Sequence, residues 1–285
     1  MAEYYSTLIS AEALREHLGD PAWAVVDCRF KLDDPAAGRA RYLEAHIPGA
    51  IYADLNKDLS ALATPDEGRH PLPALDTFRA TLGAWGIAEG VQVVCYDDQG
   101  GSIAARLWWM LRYLGHEAIA VLDGGLPTWR AQGYSTASGA ETRPPAHFQG
   151  EPHPEMLASM DELLERSPAT LLIDSREAAR YRGEIEPIDR VAGHIPGARN
   201  RPFAQNLAPA GTLRPAEELA ETWQSALGTH AAEEVVVYCG SGVTACHNLL
   251  ALEVSGLSGA RLFVPSWSGW SASPERPVAV GEEPP

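Results

Sequence analysis

The chain repeats itself once. AWAVVDCRF (22–30) returns as ATLLIDSRE (169–177), AHIPGA (45–50) as GHIPGA (193–198), VQVVCYDDQGGSIAARL (91–107) as EVVVYCGSGVTACHNL (234–249), and more loosely VLDGGLPTW (121–129) as LFVPSWSGW (262–270). The four matches keep their order, and their offsets drift only between 141 and 148 residues. A period that long is a whole domain rather than one unit of a solenoid. The 285-residue length agrees, being about twice the ~150 residues usual for a domain.

Within each copy, short apolar runs rich in β-branched residues alternate with helical patterns. The runs are AVVD, VVCY and AVLDG in the first copy and TLLID, VVVYC and RLFV in the second. Runs of this kind, apolar throughout, read as parallel strands buried on both faces. Helices are expected over 75–85, 102–114, 159–166, 216–227 and 244–255, with Ser10 capping an N-terminal helix and Ser159-x-x-Glu162 forming a capping-box signature. The fold class is therefore α/β, each copy a parallel sheet flanked by helices on both faces. Residues 138–154 hold four prolines and two glycines without apolar periodicity. This places domains at 1–140 and 155–285 with a linker over 141–154.

Charge and cysteine content exclude several functions. With 22 basic and 38 acidic residues the net charge is −16, shared by both halves, which repels nucleic-acid phosphates and anionic headgroups. Nucleic acid and membrane are not expected partners. Four cysteines without a C-x-x-C pair argue against a disulfide scaffold, a metal site or a redox dithiol. No secretory leader is readable at the N-terminus, so a cytoplasmic location with reduced thiols is expected.

The loop VVVY-Cys239-Gly240-Ser241-Gly242-Val243-Thr244 carries the chemistry. A strand ends at a cysteine, a small-residue loop follows, and a helix begins. Glycines let successive N–H groups turn around the Cys239 sulfur, and the helix adds its partial positive end; both stabilise an anionic sulfur. Cys239 is the expected nucleophile. Cys246, two helical turns on, and Cys28 and Cys95, within strand runs, read as buried and inert. The matching loop of the first copy, Tyr96-Asp97-Asp98-Gln99-Gly100-Gly101-Ser102, has Asp97 where the second has Cys239. An acid cannot perform thiolate chemistry, so the first domain is expected to be catalytically inactive.

The D-x-R strand ends (Asp27-Cys28-Arg29, Asp174-Ser175-Arg176), the two HIPGA segments, the Cys239 loop and Trp267-Ser268-Gly269-Trp270 together resemble the tandem-domain rhodanese-like sulfurtransferases, over about residues 8–280. The resemblance implies that Cys239 takes a sulfane sulfur from a small anionic donor as a persulfide. A thiol, either a small one or that of a thioredoxin-like protein, or cyanide then accepts the sulfur, without metal or organic cofactor. By the same resemblance the small neutral Gly240-Ser241 pair favours 3-mercaptopyruvate over thiosulfate, whose preferring relatives carry basic residues there.

An anionic donor needs local positive charge in an acidic protein. Seven of the second half's ten arginines lie within 176–214, a stretch of net charge +3. As a group they suit a carboxylate or thiosulfate pocket, because the guanidinium fork matches such oxygens. The resemblance points to Arg180 and Arg190 for the donor carboxylate, with Arg182 a neighbouring candidate. It also points to His70, in an H-x-L-P setting, for proton transfer, with Arg69 adding to the anion field. The family's aspartate in that segment falls on Asn56, and its Asp-Gly after the last strand falls on Val264-Pro265, expected to alter the packing of the Trp267 loop. His46 and His194 recur in both copies and are expected to be structural, as is the Asp174–Arg176 pair. Two other readings compete. A phosphatase of C-x5-R type fails because that arginine position is Ala245. A non-catalytic sulfur-carrier or regulatory module of the same fold is opposed by the intact Cys239 loop.

Overall fold

The computed structural model describes residues 4–282. It divides into two compact units. The first comprises the chain up to Ala61, Leu72–His153 and Ala208–Leu213; the second comprises Leu62–Pro71, Pro154–Leu207 and the chain from Arg214. Each unit thus takes in a short segment from the other half of the sequence. The proline-rich stretch 138–153 belongs to the first unit as an extended strap. Its backbone is tied by Glu141 N–H to Tyr42 Oη (2.9 Å), by Ala146 N–H to Gly83 O (2.8 Å) and by His153 N–H to Tyr113 O (2.8 Å).

In the first unit β1 (Leu8–Ile9), β2 (Trp23–Asp27), β3 (Ile51–Tyr52), β4 (Gln92–Tyr96) and β5 (Ile119–Leu122) form a sheet of order β1-β5-β4-β2-β3. Every pairing is parallel. In the second, β6 (Leu171–Asp174), β7 (Ala198–Asn200), β8 (Val235–Tyr238) and β9 (Arg261–Leu262) are likewise parallel in the order β7-β6-β8-β9. The counterpart of β1 is reduced to one parallel bridge, Leu157 to Leu262.

The six expected strands and five expected helices are present. Ser10 and Ser159 cap their helices through Ala13 N–H and Glu162 N–H, each at 3.1 Å. Because strand residues point alternately to the two faces, a run that is apolar throughout is buried on both. One face of the second sheet packs Leu172, Val236 and Tyr238 against Leu163, Tyr181, Phe263, Trp267 and Trp270. On the other face Val235 and Val237 are buried, and the helix Ala245–Val254 lies on β8 and β9 and against Ala216–Leu227.

The duplication extends to fine detail. His46 Nδ1 lies 2.8 Å from Tyr42 O and His194 Nδ1 2.7 Å from Tyr181 O, and both rings are fully buried and stacked on those tyrosines. Each histidine also forms an isolated antiparallel bridge, with Ala137 and Ala279 respectively. Repetition in a copy without the cysteine makes these histidines structural. Asp27–Arg29 and Asp174–Arg176 are buried ion pairs at 2.6 and 2.7 Å closing the equivalent strands β2 and β6. No helix among the described residues is long and apolar enough to cross a membrane.

Candidate active site

Strand β8 delivers Cys239 to a loop that ends where the helix Ala245–Val254 starts. Cys239 is only 2% exposed. Its N–H donates to Ser266 Oγ (3.2 Å), its carbonyl accepts from Trp267 N–H (3.0 Å), and Gly240 O accepts from Ser268 N–H (2.9 Å). The N–H groups of Ser241, Val243 and Ala245 bond to no acceptor among the described residues. Gly242 is left-handed (φ +75°), and a Cβ there would lie 2.6 Å from Val264 O, so only glycine fits.

The first unit shows what such a loop can hold. The buried Asp97 carboxylate accepts four N–H groups: Gln99 (2.8 Å), Gly101 (2.9 Å), Ile103 (2.8 Å) and Ala104 (2.9 Å). Position for position, these are Ser241, Val243, Ala245 and Cys246 of the second loop. Charge-assisted bonds of this number are what make a fully buried carboxylate tolerable.

Two guanidinium groups crowd Gly240. A Cβ on that glycine would stand 2.9 Å from Arg69 Nη2 and 3.7 Å from Arg180 Nη1. Asp189 spans the same two arginines: Oδ1 pairs with Arg69 Nη1, and Oδ2 lies 3.2 Å from Arg180 Nη2. Arg180 is also held by Glu186 (2.8 Å), and Glu186 pairs with Arg176 (3.3 Å). Burial, reinforced by Glu186, raises the carboxyl of Asp189 above its ordinary range in spite of Arg69 and Arg180. Glu186 is buried too, yet the Asp189 N–H and Arg180 hold its carboxyl below its ordinary range. His70 Nδ1 and Ser241 Oγ share a 2.7 Å hydrogen bond. The segment carrying Arg69 and His70 is pinned by Arg69 N–H to Ser268 Oγ (3.1 Å) and by Asp66 to Arg276 (2.6 Å).

Comparison with known proteins gives the architecture its place. Residues 10–132 and 157–273 each match the family described as the rhodanese-like domain. The chain belongs to the rhodanese-like family. Among its rhodanese-like relatives, a Pseudomonas aeruginosa protein named "Probable 3-mercaptopyruvate sulfurtransferase" is 45% identical over 279 residues, covering 96% of this chain and 98% of that one. A Mycobacterium tuberculosis protein carrying a thiosulfate sulfurtransferase name is 40% identical over 270 residues, 92% of each chain. The solved structure of a 3-mercaptopyruvate sulfurtransferase from Leishmania major aligns with a TM-score of 0.83 at 32% identity, over 93% of this chain and 74% of that one.

Within this rhodanese-like site the expected residues separate. Cys239, Gly240, Ser241, Gly242, Val243 and Thr244 make up the loop, with Arg180 and His70 beside it. Arg190 is exposed and lines an adjoining cleft of about 670 Å³ with Arg69, Asp189, Ile188 and Val191. Arg182 is held at the surface by Glu184 (2.7 Å) and Glu282 (3.1 Å). Asn56 lies exposed in the first unit, its N–H on Asp54 Oδ1 (3.0 Å).

The +3 arginine stretch is not one patch. Arg199 bonds Ala226 O, Arg201 bonds Gln205, Asn206 and Thr222, and Arg214 pairs with Glu218. Arg201, buried and without a carboxylate partner among the described residues, is pulled down to about 10 by desolvation and by Arg214. Cys28 and Cys95 are fully buried, and burial pushes both thiols up, which makes them inert. Among the described residues no cluster of three or more His, Cys, Asp or Glu could hold a metal.

Sequence reading did not single out Asp189 or Ser266, and gave Arg69 only a subsidiary part. Asp189 looked like one of four acids diluting an arginine run. Ser266 occupies a left-handed conformation (φ 53°) that its residue type does not advertise. Gly125, with φ 57°, is its counterpart in the first unit. This accounts for Val264-Pro265: proline cannot be left-handed, so the positive φ that Gly124 and Gly125 share is carried in the second unit by Ser266 alone. Its hydroxyl meanwhile donates to Phe263 O (2.9 Å) and accepts from Cys239 N–H.

Proposed function

We propose that this sulfurtransferase uses Cys239 as its nucleophile and takes its sulfur from 3-mercaptopyruvate, with thiosulfate the competing donor. The Cys239 thiolate attacks the donor sulfur, forming an S–S bond as the carbon–sulfur bond breaks. That electron pair passes to the carbon beside the ketone, which takes a proton, and pyruvate departs. With thiosulfate the S–S bond breaks instead, and sulfite leaves. The persulfide is left as an anion within reach of the free N–H groups of Ser241, Val243 and Ala245. A thiol, small or on a thioredoxin-like protein, or cyanide then attacks the outer sulfur and releases the Cys239 thiolate, giving ping-pong kinetics.

Arg180 and Arg69 receive the donor's anionic group, and the Ser241–His70 pair carries the proton to the departing carbon. Arg190, on the rim of the adjoining cleft, draws anions toward it. The first unit, with Asp97 in the nucleophile's position, is structural.

The observation that supports this reading most is the matched pair of loops: of the four N–H groups that hold a carboxylate in one, three correspond to N–H groups around a cysteine in the other that are unbonded among the described residues. The 3-mercaptopyruvate preference rests on Gly240 and Ser241, a small neutral pair that adds no charge for a dianion. The test is thiocyanate formation from cyanide with each donor, in wild type and Cys239→Ser. No thiocyanate from either donor refutes the enzyme reading, and equal turnover in the serine variant refutes the nucleophile.

A further inference from the structure

Six charged side chains beside the Cys239 loop form one alternating chain of ion pairs: Asp174, Arg176, Glu186, Arg180, Asp189, Arg69. Three guanidiniums face three carboxylates, so the formal charge of the set is zero. The links are not equivalent. Asp174 and Arg176 are fixed to each other at the end of β6. Glu186 also accepts the N–H groups of Ile188 and Asp189, both at 3.0 Å, and its side chain is 4% exposed. Among the described residues the Asp189 carboxylate meets the two arginines that lie against Gly240, one with each oxygen. Its segment is pinned on one side by Glu186 and on the other by the Trp267 indole, which donates to Val191 O (2.9 Å).

We propose that Asp189 sets donor choice: it holds Arg69 and Arg180 against Gly240 while cancelling one of their charges, leaving a site suited to a monoanion and poorly suited to a dianion. This rests on the reading of the Cys239 loop as the donor site, and it concerns which anion that site accepts. A monocarboxylate such as 3-mercaptopyruvate with its thiol protonated adds one negative charge to a neutral set. Thiosulfate adds two. Removing the Asp189 charge favours every anion, and by Coulomb's law favours a dianion by twice the energy.

Steady-state kinetics of Asp189→Asn with both donors test this. The expected result is a KM for thiosulfate lower by about tenfold and a KM for 3-mercaptopyruvate lower by only about threefold, so that selectivity shifts toward thiosulfate. Asp189→Glu, which keeps the charge, retains the wild-type ratio. A rise in both KM values would overturn the proposal, because it would mean that Asp189 only positions the arginines. An unchanged ratio would overturn it as well. A second arm does not depend on turnover. Calorimetric binding of pyruvate and of sulfate to resting wild type and Asp189→Asn should show sulfate gaining more than pyruvate, and equal gains would sink the inference. A wild type that makes no thiocyanate removes the enzymatic reading while leaving this charge test standing.

Discussion

The two loops differ most at a single atom group. In the first unit the Asp97 carboxylate supplies its own anion to the loop N–H groups, and the nest is closed. In the second, Cys239 offers a sulfur and leaves three of the corresponding N–H groups unbonded among the described residues. The next position repeats the contrast. Asp98 pairs with Arg41 at 3.1 Å in the first unit, whereas Gly240 admits Arg69 and Arg180 in the second. One architecture therefore serves as a self-satisfied core element in one copy and, in the function proposed above, as an anion receptor in the other. The lesson is that a backbone nest by itself specifies negative charge, and the neighbouring side chains decide whether it is the protein's own or a substrate's.

The largest expected effect comes from making the second loop like the first. Cys239→Asp should fold and lose sulfur transfer by at least about a thousandfold, measured as thiocyanate formation and as absence of a one-sulfur mass gain after donor treatment. Surviving transfer would break the comparison. The reverse change, Asp97→Cys, should create no second persulfide, since Asp98 and its ion pair occupy the place of Gly240. A persulfide on residue 97 by mass spectrometry would show that the nest alone is sufficient.

Emptying the first nest is a stability experiment. Asp97→Ala strands the three buried N–H donors of Gly101, Ile103 and Ala104 and should cost about 3 kcal/mol, read as a lower urea midpoint at unchanged m-value. Folded protein should keep its turnover. Gly240→Ala, smaller again, puts a methyl group against Arg69 Nη2 and should raise donor KM about tenfold, or ~1.4 kcal/mol, with kcat less affected. The smallest effect belongs to Ser266→Gly. Relief of the positive φ offsets loss of the bond to Cys239 N–H, so stability should move by no more than about 1 kcal/mol, and a loss well beyond that would make the hydroxyl more important than the backbone conformation.

Much of this was legible in the residues because it is local. Apolar runs such as VVVY and TLLID declare buried parallel strands, and the expected helices lie within two residues of the observed ones. The edge strands Ile51–Tyr52 and Ala198–Asn200 were not legible, since two or three residues are too few to show alternation. The helix Pro35–Glu44 was missed as well, its sequence being polar and its buried face limited to Gly38 and Tyr42. Arginine clustering along the chain misled in a different way. Seven arginines within 176–214 suggested one basic patch, yet most are spent on acids, carbonyls and amides, and the arginine of that stretch found nearest Gly240 is Arg180.

The sequence by itself determined the duplication, the α/β class, and the substitution of Asp97 for Cys239 at one strand end, because periodicity, turn chemistry and strand-to-helix junctions act between residues a few positions apart. Only the tertiary structure decided which charges converge on the loop. Arg69, Arg180 and Asp189 meet although up to 120 positions separate them, and no spacing rule encodes that meeting. Ion pairing depends on distance in space and on burial, and those are settled when the sheet and its loops are in place.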